Sequence, residues 1–296
     1  MEYDNHAPCV CGKPIQLAPK VVRVTAPNPG VMTGPGTNSY LIGEDELLVL
    51  DPGPDDPGHI QTLVEAGGGR ISRIAMTHGH LDHAPGAQRL AELTGAEILG
   101  RPTPSGAEFS SPRITRQVSD GDIIEIDGVV LRALYTPGHS SDHLCYLLVE
   151  ENLLFTGDHL MQGSTVVIAP PDGDMEQYMR SLRMVLDLSP PPVALLPGHG
   201  MWMDDPQETV SSVISHREMR ERIVLEALRH LDEKGLDQGV GIDDMLASVY
   251  SDTSEQLYPI ARYSLWAHLR KLAAEGGVVA SDPDDILAVW RVASDR

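Results

Sequence analysis

The stretch ISRIAMTHGHLDHAPG, residues 71–86, limits the choice of fold more than any other part of the chain. An apolar run, read as a core strand, is followed at once by three histidines and an aspartate within six residues: His78, His80, Asp82 and His83. Polar groups that cost stability when buried unpaired need a purpose. The end of a rigid strand holds ligands firmly while leaving them open to solvent. Asp82 and His83 are read at the start of a helix spanning 83–95. His78 and His80, two apart on an extended turn, are expected to point the same way.

The same design recurs three times. LRALYTPGHSSDH ends a strand at a Pro-Gly turn and presents His139, LLFTGDH presents Asp158, and VALLPGHG presents His199. Five histidines and two aspartates on strand ends suit zinc. Seven ligands are too many for one tetrahedral ion and fit two ions that share a bridging carboxylate and a bridging water. Iron and manganese also occupy His/Asp sites of this kind. His143, four residues after His139, is a candidate to protonate a leaving group, or else a residue that orients a ligand. His159 is expected to point away, His59 to lie on the surface and His216 to sit at a domain junction. Asn38, in GPGTNSY, is read as reaching the site from a rim loosened by Gly34 and Gly36.

Around these motifs the first two hundred residues alternate short apolar runs with Gly and Pro. Strands are read at 21–26, 38–43, 46–53 and 71–78, and helices at 57–68, 83–95 and 175–188. A hairpin is read over 122–138, turning at Asp127-Gly128, with two more strands over 143–158 and one from 193. Mixed strands with interspersed helices indicate a layered α/β fold. From about residue 206 the texture is helical: a long helix, a short one at 241–250 and another at 258–277. A hairpin around DPDD follows, and this is the winged-helix order. The reading is therefore two domains, 1–215 and 216–296.

The chain carries 22 basic residues against 43 acidic, a formal charge of −21, which repels polyanions. Residues 216–296 lack the basic stripe of a DNA reader, so this domain is expected to wall the site. Cys9, Cys11 and Cys145 are too few for a disulfide framework and suit a reducing compartment. His6, Cys9 and Cys11 lack a second cysteine pair to complete a metal site, and the segment is read as a loose tail. No apolar stretch is long enough to span a bilayer. The expectation is a soluble cytoplasmic protein with no membrane partner; its oligomeric state is left open.

In their order and spacing, THGHLDH, TPGHSSDH, TGDH and PGHG resemble the metallo-β-lactamase fold over about the first 210 residues. The resemblance implies a four-layered αββα sandwich with metals at one edge between two sheets. It implies that His78, His80 and His139 hold one ion and that Asp82, His83 and His199 hold the other, with Asp158 bridging them. Asp82 would also aim the attacking hydroxide. An aspartate at 158, where the lactam-hydrolysing branch usually has cysteine, is similar to the glyoxalase, lactonase and nuclease branch. The winged helix and PNPGVMTGPGTNSYLIG look like the lactamase-β-2-like group, which includes endoribonucleases and relatives of polyketide thioesterases. The expectation is a dinuclear zinc hydrolase acting on a small thioester, ester or lactone. The alternatives are a single-strand-specific endoribonuclease, a β-lactamase or a regulatory binding protein. RNA is disfavoured by charge, since each phosphate needs neutralising and only Arg101, Arg113 and Arg116 form a basic cluster.

Overall fold

Side chains of the central strands are apolar on both faces, so the sheet they form must be covered on both sides. In this computed structural model, which describes residues 3–106, 108–233 and 239–293, that is what happens. One sheet takes seven strands in chain order: β1 (Ile15–Ala18), β2 (Val21–Thr25), β3 (Asn38–Gly43), β4 (Leu47–Leu50), β5 (Ile71–Ala75), β6 (Glu97–Gly100) and β7 (Arg116–Gln117). β1 to β4 meander antiparallel, and β4 to β7 run parallel. The parallel joins β4–β5 and β5–β6 need crossovers, which are the helices α1 (Pro57–Gly67) and α2 (Gly86–Thr94). The second sheet has β8 (Ile123–Ile126), β9 (Val129–Tyr135), β10 (Leu144–Leu148), β11 (Leu153–Gly157) and β12 (Ala194–Pro197), in the order β12-β11-β10-β9-β8.

Period-two alternation sorts the strands between two cores. Tyr40, Ile42, Leu48 and Leu50 join Leu131, Tyr146 and Phe155 of the second sheet in one buried cluster. Their neighbours Leu41, Leu47 and Val49 pack on the other face with Ile60 and Leu63 of α1 and Leu90 of α2. Two tyrosines tie the sheets together at the site end. Tyr40 donates its hydroxyl to the carbonyl of Pro197 at 2.7 Å, and Tyr146 donates to that of Met76 at 3.0 Å. Both acceptors lie just before ligand loops.

The chain divides into two compact units. The first runs up to Thr136 and includes Ser141–Val166 and Leu186–Thr209; the second takes Pro137–Ser140, Val167–Val185 and the chain from Val210 on. The second unit contains most of α3 (Met175–Leu186) and of α4 (Pro206–Glu233), together with α5 (Ile242–Val249), α6 (Tyr258–Ala274) and the hairpin β13 (Val278–Ala280) and β14 (Trp290–Val292). Its core includes Val224, Leu228, Met245, Leu265, Leu269 and Trp290. No helix among the described residues is long and apolar enough to cross a membrane.

Several sequence expectations shift. The helix expected over 83–95 begins at Gly86, because Pro85 disfavours helical backbone at Ala84. Asp82 and His83 therefore sit on a turn before the helix. The strands β1 and β6 were hidden by their shortness. His59 is buried, with its Nε2 2.9 Å from the Ser39 hydroxyl, instead of lying on the surface. The N-terminal segment is strapped down and not loose: Arg23 donates to the carbonyls of Ala7 and Pro8, and the Cys9 thiol to that of Gly200 at 3.1 Å.

Candidate metal centre

Every ligand candidate of the first unit follows a strand. β5 leads into the loop bearing His78, His80, Asp82 and His83, while β11 ends at Asp158 and β12 at His199. Four donor atoms converge. Nε2 of His83 lies 3.3 Å from Nε2 of His199, and each lies 3.3 Å from Oδ1 of Asp158. Oδ2 of Asp82 is 3.1 Å from the His199 nitrogen and 3.6 Å from that of His83. Bonds of 2.0–2.1 Å to a tetrahedral ion put donors about 3.3–3.4 Å apart. The spacing and the imidazole-carboxylate chemistry thus both fit a divalent metal. His78 and His80 share the loop after β5, whereas His139 belongs to the second unit.

The turn geometry depends on glycine where backbone meets ligand. A Cβ at Gly198 would lie 2.6 Å from Cε1 of His83 and 2.8 Å from Oδ1 of Asp158. Gly157, at φ +47, would place one 2.8 Å from Nε2 of His143.

Four of the five rings are oriented through Nδ1, a pattern that frees one lone pair for a metal. Nδ1 of His83 donates to Oδ2 of Asp51 at 2.9 Å. Nδ1 of His199 donates to the carbonyl of Gly36 at 3.3 Å, and that of His139 to the carbonyl of Val167 at 2.8 Å. Thr77 links two of these contacts. Its hydroxyl donates to Oδ2 of Asp51 at 2.8 Å and accepts from Nδ1 of His78 at 2.9 Å. His80 instead turns Nδ1 toward Nε2 of His78, at 2.9 Å, and stacks its ring on Phe109 at 4.9 Å.

Electrostatics follow from burial and the carboxylates. Burial opposes a charged His83, but Asp82, Asp158 and Asp51 outweigh it and hold its pKa well above the ordinary imidazole value. For His199, burial is outweighed chiefly by Asp158, and the pKa is pushed up to about 9. Burial and the neighbouring histidines 83, 80 and 143 push His78 well below its ordinary value. Burial resists ionisation of Asp158, yet His199 and His83 bring its pKa well below the usual carboxylate range. These imidazole protons are what a metal displaces.

The other sequence candidates fall around this centre. His143 is fully buried; its Nδ1 is 2.8 Å from the Thr136 hydroxyl, and its Nε2 accepts the backbone N–H of Asp158 at 3.1 Å. His159 is also fully buried. Asn38 is buried too, donating to the carbonyls of Pro197 and Gly200 beneath the His199 loop. Arg101 stacks on the ring of Tyr135 at 4.0 Å, whereas Arg116 donates to the carbonyl of Ile123 at 3.3 Å. His6, Cys9 and Cys11 join no candidate metal cluster among the described residues. The three cysteines are free. Sequence reasoning missed Asp51, the partner of His83, although LLVLDPG shows the strand-then-turn pattern that marks the ligand candidates.

The metallo-beta-lactamase superfamily model matches residues 32–199, and that of the beta-lactamase associated winged helix domain matches 242–288. The chain belongs to the metallo-beta-lactamase superfamily and is one of its hydrolases, from a family that binds divalent metals. It is 35% identical over 226 residues to an atrochrysone carboxyl ACP thioesterase of Aspergillus fumigatus, covering 74% of this chain and 68% of that one. It is 33% identical over 281 residues to the lactamase-like protein adaB of Aspergillus niger, covering 88% and 84%. A beta-lactamase domain protein from Burkholderia ambifaria has the same fold, at a TM-score of 0.79 and 18% identity, covering 96% and 94%. The expected sandwich and winged helix are borne out.

Proposed function

We propose that the chain is a dinuclear hydrolase of a carbonyl substrate, a thioester ahead of an ester or lactone, using two zinc ions. The observation that carries this reading is the convergence of Asp82, His83, Asp158 and His199 at tetrahedral-edge spacing. The thioester preference is supported by the name of the Aspergillus fumigatus relative and by the chain's charge of −21, which disfavours polyanions. In this reading His78, His80 and His139 hold one ion, Asp82, His83 and His199 hold the other, and Asp158 contacts both. Bound divalent ions supply Lewis acidity toward the substrate oxygen and a water acidified toward neutral pH; iron or manganese would suit the same donors.

The chain's own groups do the orienting. The Asp82 side chain keeps 28% exposure, so it can accept a hydrogen bond from the attacking water and aim it. Asp51 and the Gly36 carbonyl lock the rings of His83 and His199. His143, engaged by Thr136 and the Asp158 amide, serves to position Asp158 and does not donate a proton to the leaving group. The commitment of Arg101 to Tyr135 weakens the case for an RNA groove.

The test is a side-by-side assay of an acyl-N-acetylcysteamine thioester, a lactone, a cephalosporin and short single-stranded RNA, with and without chelator. We expect the thioester to have the highest kcat/KM, and chelator or Asp82→Ala to abolish turnover. RNA as the best substrate, or turnover indifferent to chelator, would sink this reading.

A further inference from the structure

His139 differs from the other ligand candidates in what holds it. The turn that bears it, Pro137–Ser140, belongs to the second unit, along with the winged helix. Its backbone is fixed by α3 and the residue before it. The N–H of Asp174 donates to the Gly138 carbonyl at 2.8 Å, and the Ser181 hydroxyl to that of Pro137 at 2.8 Å. Gly138 lies at φ +136, and a Cβ there would come within 2.3 Å of the Tyr178 backbone. The turn is thus pressed against α3.

One peptide group also holds the ring. The carbonyl of Val167 accepts Nδ1–H of His139 at 2.8 Å. The N–H of the same planar unit, that of Ile168, donates to the hydroxyl oxygen of Ser264 at 3.3 Å in a buried contact. Ser264 lies on α6, is 6% exposed, and is followed by the core residues Leu265 and Trp266. A peptide plane cannot turn its carbonyl without turning its N–H. The Ser264 contact therefore sets the direction of the Val167 carbonyl and, through it, the His139 ring. Accepting the N–H also polarises the amide, making the carbonyl a stronger acceptor and Nε2 of His139 a better donor to a metal.

We propose that Ser264, in the winged-helix unit, is a positioning residue for the metal ligand His139, acting through the Val167–Ile168 peptide. This rests on the reading of His139 as a ligand. It gives the winged helix a part in holding His139 that needs no nucleic acid and no substrate contact.

The experiment uses the full chain with Ser264→Ala, Ser264→Thr and Ser264→Val, each alone and with His139→Ala. The readouts are the affinity and visible spectrum of Co²⁺ added to metal-free protein, and the unfolding midpoint of that protein. Thr keeps the acceptor oxygen, and Val matches Thr in volume without it. We expect Thr to bind Co²⁺ as wild type does, and Ala and Val to weaken one Co²⁺ site about tenfold and alter its spectrum. In the His139→Ala background the same changes should leave Co²⁺ binding unmoved, since the coupling is lost. Wild-type affinity in Ser264→Val, or equal losses with and without His139, would overturn the proposal. If Ser264→Ala does not fold, the Thr and Val pair decides alone. If Val also fails, ¹⁵N resonances of the metal-free wild type decide: a His139 ring protonated at Nε2 and not at Nδ1 overturns it, and the reverse supports it. Wild type that binds no Co²⁺ would instead sink the metal-dependent reading itself.

Discussion

Oδ2 of Asp51 lies 2.9 Å from Nδ1 of His83, and this contact decides which ring nitrogen is left for a metal. Asp51 also accepts the backbone N–H of Thr77 at 2.7 Å, and its backbone sits at φ +50, a region asparagine tolerates. Asp51→Asn should therefore fold. Its amide would present N–H to Nδ1 and favour the tautomer protonated at Nε2. We expect metal affinity to fall about 10–100-fold with little change in unfolding midpoint. Competition against a chelator measures this, and unaltered affinity would refute the role given to Asp51.

Gly198 tests how tightly the two ligands beside it are seated. It does not have the positive φ of Gly157 or Gly200, so alanine meets no backbone strain there. The added carbon would press on both His83 and Asp158. Ligand displacements near 1 Å cost about 100-fold in rate, and Gly198→Ala should lose at least that much turnover while still unfolding cooperatively. Turnover within a few-fold of wild type would mean that the loop yields freely.

The candidate ligands are legible in the sequence because each follows an apolar run and small turn residues, and Asp51 obeys the same rule in LLVLDPG. The environment of His143 is not legible in this way. Its partners, Thr136 and the Asp158 amide, come together only when β9, β10 and β11 pair. The start of α2 is displaced by a single proline, which a periodic apolar pattern running through it does not reveal. His59 looks like a polar residue in the first turn of a surface helix, yet the Ser39 hydroxyl gives it a buried partner. The mounting of His139 by α3 and α6 lies beyond any local pattern, since Ser264 is 125 residues away in sequence from the ring it serves.

The second unit should carry an acid-sensitive element of its own. His268 is buried; burial and the nearby Arg217 outweigh its contact with Glu221, and its pKa is held down at about 4. Lys271, bound to Glu221 at 2.8 Å, adds to the positive surroundings. In the unfolded chain a histidine titrates near 6.5. Above that pH both states are neutral and the full stability is present. Between 6.5 and about 4 the unfolded chain takes up a proton that the folded one refuses, and stability falls by roughly 3 kcal/mol. His268→Gln should remove about one proton of this slope in denaturant unfolding across the window, whatever its effect at pH 7. An unchanged slope would show that His268 titrates normally.

Metal binding should release protons, and the carboxylates set the sign. The pKa of His199 is pushed up to about 9 and that of His83 is raised as well, so in metal-free protein both imidazoles should hold their protons at pH 7. A metal takes only the neutral ring, so each of these ligands must give up a proton on binding. The apparent affinity should then climb as pH rises from 6 toward 9. Calorimetric titration of Zn²⁺ at pH 7, in buffers of differing ionisation enthalpy, counts the protons directly. We expect about two released for the ion held by Asp82, His83 and His199. His199→Ala should remove one of them and most of the affinity. Zn²⁺ binding with no proton release would mean that both rings are already neutral, and that Asp82 and Asp158 do not govern them as the 3.1–3.6 Å contacts imply.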